Sequence, residues 1–201
     1  MLVGDLAGRI GVDKVRCAWV PKGDDLYQHY HDNVWGVPVH DQKGLFEFLL
    51  LEGAQAGLSW ITVLRKREHY RHAYMGFDPV NIASFNEAKI NQLLQNPGII
   101  RNRLKVMSAV KNARAFLAMQ EQGINFSDFL WSFVDGEPIV NQWQCIQEVP
   151  ARTEYSDQMA KELKRLGFSF VGSTICYAFM QATGMVNDHT IDCFCYKKCQ
   201  N

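Results

Sequence analysis

No run of apolar residues in this chain approaches the ~20 needed to cross a bilayer. Its opening, MLVGDLAGRIGVDK, has neither the basic head nor the long apolar middle of a secretory signal. A cytoplasmic protein with no membrane partner is therefore expected. There is also no excess of charge of either sign, since 21 basic residues face 21 acidic ones. Affinity for a polyanion would have to come from local patches. Internal repeats and low-complexity tracts are absent. So is any alternating strand pattern beyond the short EPIVNQW (137–143) and FSFVG (168–172), which leaves an all-α reading.

What is present is apolar and periodic. With 47% hydrophobic residues, 201 residues suffice for one well-buried domain or two small lobes around a shared cleft. Helical spacing predicts helices over about 41–53 and 59–75, then at NEAKINQLLQ (86–95), LKVMSAVKNARAFLAMQEQ (104–122), FSDFLWSFV (126–134), SDQMAKELKRLG (156–167) and STICYAFMQATG (173–184). Ser156 and Asp157 supply N-cap chemistry, and Gly167 a stop. The stretch CAWVPKGDDLYQHYHDNVWGVPVHD (17–41) is rich in turn residues and reads as irregular chain. Six cysteines, Cys17, Cys145, Cys176, Cys193, Cys195 and Cys199, would suggest disulfides in a small secreted protein. Here reduced thiols or metal ligation fit better.

Three constellations carry chemistry. In the first, the apolar stripe Leu45, Phe48, Leu49 continues by helical spacing onto Glu52, which at about 100° per residue lies within roughly 20° of Leu45. Glu47 lies nearly opposite and is expected to face water. A carboxylate on a core stripe costs several kcal/mol unless compensated, and the small residues Gly53, Ala54, Ala56 and Gly57 leave space beside it. That combination predicts a pocket. Trp19, Tyr27, Tyr30, Trp35 and Trp60 fall in the same region; such aromatics commonly form core, but around a buried acid they can also make a stacking slot for a planar cation.

The second constellation spans both ends of the chain. His189 and Cys193 stand one helical turn apart, and Cys17 and His31 are separated by a segment that could fold back. Two thiols and two imidazoles suit a structural zinc site. A coincidental pairing is the alternative, and Cys195, Cys199 and His29 are rival ligands. Third, NPGIIRNRLK (96–105) joins two helical segments through a Pro-Gly turn. Gly98 would permit close backbone approach to a ligand, helix-start amides would accept a phosphate, and Arg101, Arg103 and Lys105 would add cations. This resembles a helix-hairpin-helix DNA-binding element, against the alternative of an ordinary helix-helix turn.

CAWV (17–20), YHDNVWGVP (30–38), LEGAQAGLSWITVLRKRE (51–68), GIIRNR (98–103), WSFV (131–134) and GFSFVGSTICYAFMQATGMVNDH (167–189) together closely resemble the DNA-3-methyladenine glycosylase I family. The resemblance runs from about Cys17 to about Cys195. It implies an all-α helix-hairpin-helix DNA glycosylase fold with a zinc-binding element joining the N- and C-terminal regions. One glycosylase domain of two helical lobes around a base pocket would span residues 17–195, after an N-terminal extension (1–16) and before a C-terminal tail (196–201). The ligands of one structural Zn2+ would be Cys17, His31, His189 and Cys193. The base pocket would be Glu52, Tyr30 and Trp60, supported by Trp19, Tyr27 and Trp35, with Glu52 the catalytic candidate. Gln55 and Leu58 would approach the gap left by an extruded nucleotide. Gly98, Ile100, Arg101, Asn102 and Arg103 would hold the DNA backbone.

The implied reaction is hydrolysis of the glycosidic bond of 3-methyladenine in double-stranded alkylated DNA, giving the free base and an abasic site. Bifunctional members of the wider superfamily carry a nucleophilic Lys where this chain has Asn102, so a monofunctional, monomeric enzyme is expected. The chain departs from the common family pattern at Val34, where many relatives carry an acid. The competing reading is a non-catalytic zinc-containing module that binds damaged DNA. A zinc hydrolase is disfavoured, because four protein ligands leave no open position for water.

Overall fold

The computed structural model describes residues 14–199. Most of the expected N-terminal extension, residues 1–13, therefore lies outside the described residues, as do positions 200–201. The first element corrects the sequence reading of residues 17–41. Helix α1 (Asp25–Asn33) forms there because Asp24 accepts a hydrogen bond from the Tyr27 amide at 3.1 Å, and because Asp25 and His31 suit the two ends of the helix dipole. The turn residues bracket the helix instead of running through it. Tyr27, Tyr30 and His31 stand at i, i+3 and i+4, on adjoining parts of its surface, and Trp19 meets both Tyr27 and His31.

Helix α2 (Gln42–Gln55), capped by Asp41, is the centre of the molecule, and every residue from Leu45 to Ala54 is buried. Because α2 is covered all round, the side opposite Glu52 is not water. Glu47, expected to be solvent-facing, is buried and accepts hydrogen bonds from Arg67 Nε at 2.7 Å and Arg71 Nη2 at 2.8 Å. The helix expected over 59–75 is two: α3 (Trp60–Leu64) and α4 (Arg67–Ala73), followed by a turn of 3-10 helix at Met75–Phe77. No glycine or proline marks the break at Arg65 and Lys66. Long-range partners hold those residues instead, with Arg65 paired to Asp24 at 2.9 Å and Lys66 Nζ donating to the Pro97 carbonyl at 2.6 Å.

Helices α5 (Pro79–Ala83), α6 (Glu87–Gln95), α7 (Arg103–Glu121) and α8 (Phe126–Trp131) follow, capped by Asp78, Asn86, Asn102 and Asn125. Helix α9 (Glu154–Arg165) begins earlier than Ser156 suggested. Thr153 is its N-cap, and the Thr153 amide in return donates to Ser156 Oγ at 2.9 Å, a reciprocal capping box. Thr153→Ala should lower stability by about 1 kcal/mol in a denaturant titration; an unchanged midpoint would show that the box contributes nothing. Gly167, at φ +93°, ends the helix as expected.

Helix α10 (Ser173–Ala182) packs on α2 and α9. Just beyond it, a side chain at Gly184 would come within 2.4 Å of the Pro38 backbone nitrogen, so only glycine lets the segment before α2 lie against the end of α10. Of the two weak strand signals, one survives as a parallel pair of two residues each, β1 (Ile139–Val140) beside β2 (Val186–Asn187). The other, residues 168–172, is a loop held by Asn112 through hydrogen bonds to the Ser169 amide and carbonyl at 2.8 and 3.0 Å. Helix α11 (Cys195–Lys198) closes the described chain.

Candidate active site

Glu52 opens into a cavity of about 220 Å³, and the rest of the wall comes from distant parts of the chain. Helix α1 gives Tyr27 and Tyr30, the segments flanking it Trp19 and Trp35, α3 Trp60, α10 Ala178 and Gln181, and a turn near 146–149 Ile146 and Val149. Every aromatic residue singled out from the sequence lines this one space. Tyr30 and Trp60 lie with ring centroids 5.3 Å apart, and Trp19 contacts Tyr27 and Trp35 at 5.3 and 5.0 Å.

The electrostatics distinguish the two acids of α2. Glu47 has its arginines; Glu52 is 3% exposed and burial alone pushes its carboxyl up to about 8, with no cation or donor among the described residues to offset the cost. Burial, then the nearby Glu52 carboxylate, raise Tyr30 well above the usual phenol value, so it stays a hydrogen-bond donor. The Trp60 indole N–H is buried with no partner among the described residues. An uncompensated acceptor and an unused donor share a wall of π faces. Such a cavity would take a flat, polar, positively charged ring.

Behind Trp19 and Trp35 lies the second cluster. Cys17, His31, His189 and Cys193 are all buried, and one ligand atom from each falls within 4.8 Å of the others. Cys17 Sγ and Cys193 Sγ stand 3.5 and 3.6 Å from His189 Nδ1, and Cys193 Sγ is 3.5 Å from His31 Nε2. Tetrahedral Zn–S and Zn–N bonds put sulfur and nitrogen about 3.6 Å apart, so the donor set fits such an ion in type and in spacing. Hydrogen bonds to the Cys193 sulfur, the one with Cys17 foremost, hold that thiol far below its ordinary value, which suits the thiolate a metal would need. His31 Nδ1 lies 2.8 Å from Asp32, itself gripped by Arg16 through two bonds of 2.8 Å; this carboxylate support orients a ligating imidazole. Of the rival ligands, His29 is exposed, while Cys195 and Cys199 are buried against the cluster but outside the four.

The hairpin joins α6 to α7 as expected, but several of its groups are already used. A side chain at Gly98 would come 2.9 Å from His69 Cβ, so its small size serves packing on α4. The Gly98 amide donates to Asn96 Oδ1 at 2.8 Å and the Ile100 amide to the Tyr70 hydroxyl at 3.0 Å. Asn102 caps α7. Arg103 is paired with Glu87 and Asn91. Lys105, expected to face a phosphate, turns inward and donates to the carbonyls of Ala54 and Ala56 at 2.8 and 2.6 Å, closing the C-terminus of α2. Arg101 is exposed, and the first amides of α7 have no helical partner. Gln55 reaches the cavity and donates to the Leu58 carbonyl at 3.0 Å, while Leu58 projects from the loop between α2 and α3 at 37% exposure.

Residues 19–196 match the family model described as methyladenine glycosylase. The chain belongs to the methyladenine glycosylase family. It is 54% identical over 181 residues to DNA-3-methyladenine glycosylase 1 of Escherichia coli (strain K12), covering 90% of this chain and 96% of that protein. A crystal structure of a 3-methyladenine DNA glycosylase I superposes with a TM-score of 0.89 at 56% identity, over 90% of this chain and 99% of that one. The Staphylococcus aureus 3-methyladenine DNA glycosylase I, solved to explain recognition of 3-methyladenine, superposes at 0.85 with 38% identity, over 89% and 95%. The mostly helical architecture is that of these family structures.

In this member of the methyladenine glycosylase family, sequence reasoning missed part of the pocket. Ile146, Val149, Ala178 and Gln181 carry no local signal. Asp188 also lines it, buried at 2% exposure beside the ligand candidate His189. A carboxylate adjoining a metal-ligand motif was the one available hint.

Proposed function

We propose that this protein is a monofunctional DNA repair glycosylase that hydrolyses the glycosidic bond of 3-methyladenine in alkylated DNA, leaving an abasic site. The observation that carries the reading is the uncompensated Glu52 carboxylate inside an aromatic cavity, in a chain whose relatives bear that enzyme's name. Alkylation at N3 makes the nucleoside cationic, so the base is already a good leaving group and departs neutral. The protein must chiefly extrude the right nucleotide and offset a few kcal/mol of unstacking. Tyr30 and Trp60, with Trp19, Tyr27 and Trp35 behind them, supply the stacking faces. The cation drives Glu52 to its ionised form, and the carboxylate then accepts from the amino edge. Normal adenine, being neutral, meets a protonated acid and gains no such attraction.

The metal set is assigned to one structural zinc, held by Cys17, His31, His189 and Cys193; when bound, the ion would clip the two ends of the chain together. Residues 17–195 are assigned as one glycosylase domain, in keeping with a continuous core from Tyr30 to Val186. No helix of the described residues is long and apolar enough to cross a membrane. The test of function is release of free 3-methyladenine from methylated duplex DNA by the purified chain. Binding without release would favour a damage-binding module.

DNA is held by its backbone at the hairpin Gly98–Arg103, with Gln55 and Leu58 filling the gap. Arg101→Ala should weaken binding to abasic DNA whatever the sequence and lower the salt slope by about 1. Arg103→Ala should cost less, since Arg103 must first leave Glu87. An Arg101→Ala protein that binds as tightly as wild type at every salt concentration would mean the hairpin is not the DNA contact.

A further inference from the structure

The orientation of one side chain in the cavity is dictated from behind it. Asp188 is a buried carboxylate that accepts four hydrogen bonds, two per oxygen: Asn141 Nδ2 and Trp143 Nε1 donate to Oδ1, both at 2.7 Å, while Tyr177 OH at 2.7 Å and Gln181 Nε2 at 2.8 Å donate to Oδ2. An indole N–H is a donor only, and the four donors take up both oxygens of the carboxyl group, two on each. A glutamine facing such an acceptor must present its NH₂ and turn its carbonyl away. Gln181 lines the cavity from α10, which packs on the helix bearing Glu52. Its Oε1 accepts no hydrogen bond among the described residues, yet is not sealed from open space.

The cavity wall thus offers two acceptors from adjacent helices, Glu52 and Gln181 Oε1, with no donor among the described residues serving either. The unused donors, Tyr30 OH and Trp60 N–H, come from other elements.

Resting on the glycosylase reading above, we infer that Gln181, oriented by Asp188, is a specificity-determining residue that selects a base carrying a 6-amino group over one carrying a 6-oxo group. Two acceptors match the two hydrogens of an amino group. A carbonyl in the same place would face Gln181 Oε1 with no hydrogen between the two oxygens, a repulsive arrangement that discriminates without any loss of fit for the correct base.

The experiment measures binding of free 3-methyladenine and of 3-methylhypoxanthine, which carries oxygen in place of the amino group and one hydrogen more on the ring nitrogens, by quenching of tryptophan fluorescence. It compares wild type with Gln181→Met, which keeps length and removes the amide. The ratio of the two dissociation constants is expected to fall about tenfold in Q181M, the difference one hydrogen bond makes. A merely structural role for Gln181 would weaken both ligands equally, and an unchanged ratio overturns the inference. If Q181M does not fold, Gln181→Asn withdraws the same amide by one methylene and is read by the same ratio. Asp188→Asn, which can pair with either end of Gln181, should lower the ratio by a smaller factor; no change there would overturn the orienting role of Asp188. A wild-type chain that releases 3-methyladenine while the Q181M ratio holds refutes only this inference. A wild-type chain that neither binds nor releases the base refutes the glycosylase reading with it.

Discussion

Glu52→Gln is expected to slow release of 3-methyladenine about tenfold or more, about 1.4 kcal/mol of barrier, while leaving affinity for abasic DNA nearly unchanged. The substitution keeps the shape and removes the charge, and abasic DNA has no base to read. The same variant should be more stable than wild type at alkaline pH, which an ordinary loss of packing would not produce. In the ligand-free protein the Glu52 carboxyl ionises near 8 against an ordinary 4.5. Between those values the folded protein holds a proton that the unfolded chain has lost, so wild-type stability falls as pH rises through that window. Glutamine removes the dependence. The two proteins should melt alike below pH 4.5, and by about pH 8 the variant should lead by a few kcal/mol, an upper bound set by about 1.4 kcal/mol per pKa unit. Wild-type excision by Glu52→Gln, or a variant that melts lower than wild type at alkaline pH, would mean that the carboxylate has a structural task and reads nothing.

His189→Ala is expected to abolish metal content and to lower stability by several kcal/mol together, because binding an ion across the chain termini is partly folding free energy. The damage should extend to the base pocket. Trp35 stacks edge-on against His189 with centroids 4.6 Å apart, and Trp19 against His31 at 5.2 Å, so the pocket's back wall stands on the two imidazoles of the proposed metal set. His29→Ala, at an exposed site whose ring meets only Asn33 among the described residues, should change neither metal content nor melting. Elemental analysis decides the matter. Less than a stoichiometric amount of zinc in wild-type protein purified without chelator, or full zinc in His189→Ala, would remove the assignment.

Glu52 was legible in the sequence because its position rests on local geometry. A helix places residues seven apart on one face, so an acid in register with Leu45 had to point inward once that stripe was buried. That Cys17, His31, His189 and Cys193 form one buried cluster that could hold a metal was legible for a related reason: thiols and imidazoles are few, and the spacing from His189 to Cys193 is one turn. Glu47 was misread because the same wheel says nothing about what covers the opposite face. The two arginines that make its burial tolerable come from α4, 20 and 24 residues away. Helix α1 was misread because turn-forming Pro, Gly and Asp flank it, and the side chain that starts it, Asp24, looks the same in a cap as in a turn. Lys105 has the composition of a DNA contact and the position of a helix cap.

By itself, then, the sequence determined the helical periods, the inward turn of Glu52, the aromatic complement around it and the chemical types available to bind a metal. All of these follow from spacing along one chain segment or from residue type. Only the tertiary structure decided which acid is paired and which is left bare, where the helix over 59–75 breaks, and that Asp188 takes the amide NH₂ of Gln181. Charge compensation and amide orientation depend on partners from other elements, and a buried carboxylate becomes a reader or a strut according to whether such a partner arrives.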